Sequence, residues 1–104
     1  MRYAIVINLD YESYFVDDCK FVWERIRQEM ENSGFRMDKR LFTMDSNEEV
    51  ACDTARTVID RLNRSPKLQG IDVYAYMKDF YGYDHSNAVN LMLPSTKNIV
   101  VELR

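Results

Sequence analysis

The chain has 104 residues, 46% of them apolar and 30% charged, the balance of one globular domain and too short for two. Fourteen basic against seventeen acidic side chains leave a formal net charge of −3, which excludes a protein that coats polyanions through surplus Lys and Arg. No apolar run reaches the ~18–20 residues needed to cross a bilayer, and strand-like residues follow Met1 directly, so neither a membrane partner nor a signal peptide is expected. Cys19 and Cys52 lie inside helical patterns without metal spacing. Two free, buried thiols in the reducing cytoplasm are expected, not a zinc site or a disulfide scaffold.

Residues 3–9 are β-rich and apolar at nearly every position, as in a central strand covered on both faces. Tyr3, Ile5, Ile7 and Leu9 form its larger apolar face. Ala4, Val6, Asn8 and Asp10 form a smaller one that ends polar. From Asp17 the period changes: Cys19, Val22, Trp23, Ile26 and Met30 recur as the stripe of an amphipathic helix, with Asp17 and Asp18 at its N-terminus and Gly34 as its stop. Residues 35–45 are extended, but alternation breaks at Asp38, Lys39 and Arg40, which favours two short strands over one long one. Ser46 followed three residues later by Glu49 has the form of a capping box, with Ser46 as the cap. The helix behind it turns Ala51, Ala55, Val58, Ile59 and Leu62 inward and ends before Pro66.

Residues 71–77 alternate as a further strand, with Ile71, Val73, Ala75 and Met77 on one side and Asp72, Tyr74 and Tyr76 on the other. A long polar and aromatic stretch follows over residues 79–90, and residues 98–103 close the chain as a short extra strand. The order β-α-β-β-α-β predicts a single α/β (α+β) domain over residues 1–104, a ferredoxin-like sandwich whose antiparallel sheet carries two helices on one face. Its other face would hold Ala4, Val6, Tyr74 and Tyr76, apolar enough to need a cover. The chain's own residues 79–104 are one candidate cover and a second copy of the chain is the other; a homodimer through this face is expected.

Three stretches carry a family likeness: Tyr3-Ala4 through the apolar run to Asp10, residues 26–35 ending in Ser33-Gly34-Phe35, and Leu41 to Asn63 followed by Ile71-Asp72-Val73-Tyr74. Together they resemble the virulence-associated protein D (VapD) family, itself related to the small subunit of the CRISPR spacer-acquisition complex. The resemblance implies a ferredoxin-like homodimer packed sheet to sheet. It also implies a magnesium-dependent endoribonuclease activity, toxin–antitoxin roles, and a catalytic aspartate at the end of the first strand, here Asp10. The chain departs from the family in Lys39-Arg40-Leu41-Phe42, where a polar serine step is usual, and from Asp79 onward.

Each candidate has a plainer alternative. Two Asp10 carboxylates across a dimer axis would suit Mg²⁺, a hard cation that prefers carboxylate oxygen and retained water; equally, Asp10 would cap the turn over residues 10–13. His85, the single histidine, stands next to Asp84 and near Asp79, as a proton donor or ligand in a loop, or as part of a solvated turn. Tyr74 and Tyr76, with Tyr11, Tyr14, Tyr81 and Tyr83, suit either stacking of unpaired RNA bases or a tyrosine-rich protein interface. Arg36, Lys39 and Arg40 would form a phosphate-contacting strip, and Arg56, Arg61, Arg64 and Lys67 extend the basic middle of the chain; solvated helix faces explain the latter as well. Two functions of different class follow: an RNA-cleaving enzyme using Asp10 and Mg²⁺, and a non-catalytic homodimeric module that binds a protein partner.

Overall fold

A computed structural model describes residues 1–86 and residue 91. They form β1 (Arg2–Leu9), α1 (Val16–Asn32), β2 (Arg36–Asp38), β3 (Leu41–Asp45), α2 (Glu48–Asn63), a 3-10 turn at Pro66–Leu68, a one-turn helix α3 (Val73–Tyr76) and β4 (Met77–Asp84). The strands make one antiparallel sheet in the order β2-β3-β1-β4. Among the described residues no helix is long and apolar enough to cross a membrane. The extra strand expected over residues 98–103 lies outside the described residues.

α1 forms where the 3.6-residue period predicts it. Cys19, Val22, Ile26 and Met30 are completely buried, and burying a side chain of Val or Ile size contributes roughly 1.5–3 kcal/mol. Its end is built by Gly34 at φ +102°, a region glycine enters without steric cost. The Phe35 N–H then reaches the Met30 carbonyl and the Gly34 N–H the Glu31 carbonyl, closing the last turn. α2 buries Ala51, Ala55, Val58, Ile59 and Leu62 as expected, but its cap is Asn47, not Ser46. Asn47 Oδ1 accepts the Val50 N–H at 2.9 Å, while the Ser46 hydroxyl donates to the Asn47 carbonyl. The helix starts one residue later than the capping-box spacing suggests, and asparagine caps at least as well as serine.

The stretch over residues 35–45 is split, as its broken alternation predicts. Asp38 pairs with Leu41 across a two-residue turn in which Lys39 adopts φ +57°. That left-handed conformation costs a non-glycine residue roughly 1–2 kcal/mol.

Residues 71–77 depart from expectation. The alternation there is not a strand: Val73–Tyr76 is α3, and the fourth strand is the following segment, Met77–Asp84. Two side chains decide it by capping the turn. Asn63 Oδ1 accepts the Val73 N–H at 2.7 Å and Asp72 Oδ1 accepts the Tyr74 N–H at 3.0 Å. β4 hides its pattern because one of its core-facing positions is Gly82, opposite Ile5. A Cβ at Gly82 would lie 2.6 Å from Tyr3 Cε2 and 3.0 Å from Ile5 Cδ1, so its neighbours already fill the space a side chain would take.

The core lies between the α1 and α2 stripes and the Tyr3, Ile5, Ile7 and Leu9 face of β1, completed by Phe35, Phe42, Leu68 and Val73. On the sheet's other face Ala4, Val6 and Thr43 are buried although they stand outside that core cluster. On β4 the register partners of Ala4 and Val6 are Tyr83 and Tyr81, the latter 55% exposed. Tyr74 and Tyr76, expected on this face, sit on α3 instead, because the strand begins after them.

Candidate functional site

β1 has two unlike halves. Tyr3, Ala4 and Ile5 are paired on both sides, with Met44, Thr43 and Phe42 of β3 and with Asp84, Tyr83 and Gly82 of β4. Past Ile5 the ladder with β3 stops, while pairing with β4 runs on to Leu9 opposite Met77. Among the described residues, Val6–Leu9 therefore has a strand on one flank only.

A cleft of about 310 Å³ lies along this half-paired stretch. β1 contributes Ile7, Asn8 and Leu9, the following turn Tyr11, α1 Trp23, and the β2–β3 hairpin Met37, Lys39 and Arg40. Trp23 also packs against buried Phe42, ring centroids 5.6 Å apart, which ties the cleft wall to the core. Among the described residues two cations and no acid line it, in a chain whose net charge is −3. Among the described residues neither Lys39 nor Arg40 enters an ion pair, whereas Arg27, Arg56 and Arg61 all do, with Glu24 and Glu31, Asp53, and Glu29. The left-handed Lys39 backbone is part of the tight turn that sets these two cations at the hairpin tip.

Asp10 follows β1, next to the cleft residues Leu9 and Tyr11. Its Oδ1 accepts the Glu12 N–H at 3.2 Å and the Ser13 N–H at 3.1 Å, and its own N–H donates to the Tyr76 carbonyl at 2.8 Å. Hydrogen bonding from Ser13, helped by the Glu12 N–H and the Lys78 charge, holds its carboxyl below the usual range despite the opposing effect of desolvation. The group is thus an ionised turn cap. Among the described residues no three His, Cys, Asp or Glu side chains are grouped to hold a metal ion. Asp10 offers one carboxylate, with one oxygen already engaged by the Glu12 and Ser13 N–H groups.

The remaining candidates are dispersed. Arg36 lies at the far end of β2, opposite Thr43, away from the hairpin tip that holds Lys39 and Arg40. Asp79 accepts from Asn8 Nδ2 at 3.1 Å across the β1–β4 ladder. His85 comes directly after β4, the strand that stands where a polar loop is expected. Its N–H donates to the Arg2 carbonyl, and its ring meets Tyr83 edge-on at 5.9 Å. Its neighbour Asp84 accepts the Ser86 N–H, which lowers the Asp84 carboxyl. Tyr74 donates to Asp60 at 2.7 Å, and burial together with that bond pushes its hydroxyl up to about 12. Tyr76 stacks on Tyr14 at 3.8 Å. Cys19 and Cys52 are both free; Cys19 is buried and its thiol is raised by desolvation, while Cys52 is only partly buried.

Trp23 is the cleft residue that sequence reasoning assigned to the core alone. It stands in the apolar stripe of α1 but is only partly buried, and being the single tryptophan was its one signal. Tyr11 is one of the six tyrosines singled out for stacking, and the only one of them that lines the cleft. Comparison with family models, with curated proteins and with solved structures finds no match to the chain.

Proposed function

We propose that the chain is a VapD-like protein that binds single-stranded RNA, built on a ferredoxin-like βαββαβ unit. The strand order β2-β3-β1-β4, with both long helices packed on one face, supports that fold. The observation that carries the RNA reading is the cleft along β1, where Trp23 and Tyr11 stand beside Lys39 and Arg40. Aromatic faces take unstacked bases and cations take phosphates, the combination used by binders of single strands. Pairing of two copies through the sheet face that bears Tyr81 and Tyr83 belongs to the same proposal, since tyrosine is enriched at protein interfaces.

A second reading, Mg²⁺-dependent RNA cleavage, rests on Asp10. Its carboxylate is held ionised one residue from Tyr11 of the cleft wall. In this reading two Asp10 carboxylates across a dimer axis would share one Mg²⁺, water filling its remaining positions.

One preparation tests both readings. Binding of labelled single-stranded RNA is expected to weaken with salt, and the double variant Lys39→Ala/Arg40→Ala should flatten the log–log salt slope by about 1.4, the loss of two phosphate contacts. An unchanged slope would remove the cleft from the binding surface. Incubating the same RNA with Mg²⁺, beside Asp10→Asn, decides the second reading: cleavage that vanishes in the variant supports it, and intact RNA sinks it. Sedimentation of the same sample reads the oligomeric state.

A further inference from the structure

We infer that the cleft is a one-nucleotide pocket, taking a nucleoside monophosphate with its base against Trp23 and its phosphate on Lys39 and Arg40. This rests on the RNA reading and narrows it from a surface to a single residue of the strand. Three observations carry it.

The first is size. At about 310 Å³ the cleft sits at the lower end of the roughly 300–1,000 Å³ range of small-molecule sites, so it holds one small ligand and not a length of duplex. The second is charge. Among the described residues its lining has two cations without an acid, and those cations have no ion-pair partner there, so a phosphate is the complementary group. The third is the flank of β1 away from β4. Among the described residues no strand pairs with it over Val6–Leu9, so it presents backbone donors and acceptors along the cleft. A nucleobase has a flat face for the indole and a polar edge for such groups.

An extended peptide is the competing occupant, because an open strand edge also accepts an added strand. The mixed aromatic and cationic walls favour the nucleotide: a peptide's main chain needs neither.

The test uses the full chain and its single tryptophan. Emission from Trp23 is followed while AMP or UMP is added, with adenosine, inorganic phosphate and an acidic peptide as separate titrants. Saturable quenching by AMP and UMP is expected, weakened about tenfold in Lys39→Gly/Arg40→Ala. Glycine is chosen at position 39 because it tolerates the positive φ there, so the hairpin is retained. Circular dichroism of the variant verifies the fold. Equal affinity for adenosine and AMP would overturn the phosphate assignment. Equal affinity for inorganic phosphate would reduce the site to an anion sink and overturn the base assignment. Quenching by the peptide alone would overturn the proposal in favour of strand addition. Salt-sensitive RNA binding with no response to any mononucleotide would overturn the pocket while leaving the RNA reading in place, and absence of both would end both.

Discussion

The two halves of β1 share one strand and one kind of sequence, yet they do different work. Around Ile5 the strand has β3 and β4 on its flanks and the helices over its inner face. Beyond Ile5 its pairing with β3 ends, and the cleft runs along the flank that no strand covers among the described residues. The inward side chains Ile7 and Leu9 remain buried in the second half, at 3% exposure each. What separates the halves is therefore the flank of the strand, not its face: the core is continuous, and the backbone edge is where they part.

The largest effect that would expose this contrast is Ile5→Ala. It removes a buried side chain from the doubly flanked half and should cost about 2–5 kcal/mol in chemical denaturation. Ile7→Ala, equally buried in the half without β3, should cost about as much, since the core is continuous. A much smaller loss at Ile7 would make the inner face, and not the flank, the difference between the halves.

Gly82→Ala comes next. The added methyl meets Tyr3, Ile5 and the Ala4 carbonyl within 3.0 Å, and overpacking of this kind costs typically about 1–3 kcal/mol. A neutral result would mean that the tight half has slack.

The smallest effect is at Asp10, on the open end. Its folded carboxyl titrates below the ordinary value, so the folded state binds fewer protons than the unfolded chain in that interval. The associated stability is present above the unfolded value and is lost as pH falls through the folded one. Asp10→Asn keeps an oxygen for the Glu12 and Ser13 N–H groups but does not titrate. Acid unfolding followed from pH about 5 downward should be shallower in the variant than in the parent. Superimposable acid curves would show that the turn does not depend on the ionised carboxyl.

Much of this molecule is legible from side-chain periodicity. α1 and α2 form on their apolar stripes, and the break at Lys39-Arg40 marks the hairpin, because a buried face repeated every 3.6 or 2 residues leaves a local trace. The misplaced fourth strand shows the limit. Residues 71–77 alternate well, yet Asn63, ten residues before Val73, supplies a hydrogen bond that turns them into a helix. Gly82 fills an inward position of β4 because Tyr3 and Ile5, far away in the chain, already occupy its space. The site was legible in pieces: Lys39, Arg40 and Asp10 carry charge that can be read directly, whereas Trp23 and Tyr11 join them only when α1 and the turn after β1 are laid beside the hairpin.

Taken alone, the amino-acid order determined the two long helices, the parity of β1, the hairpin and the glycine stop of α1, since each follows from neighbours within a turn or two of chain. Tertiary structure alone decided where β3 lets go of β1, which face the tyrosines occupy, and that two cations would share a cleft with a tryptophan. Those outcomes depend on contacts between residues far apart in sequence, whose free energy no local pattern encodes.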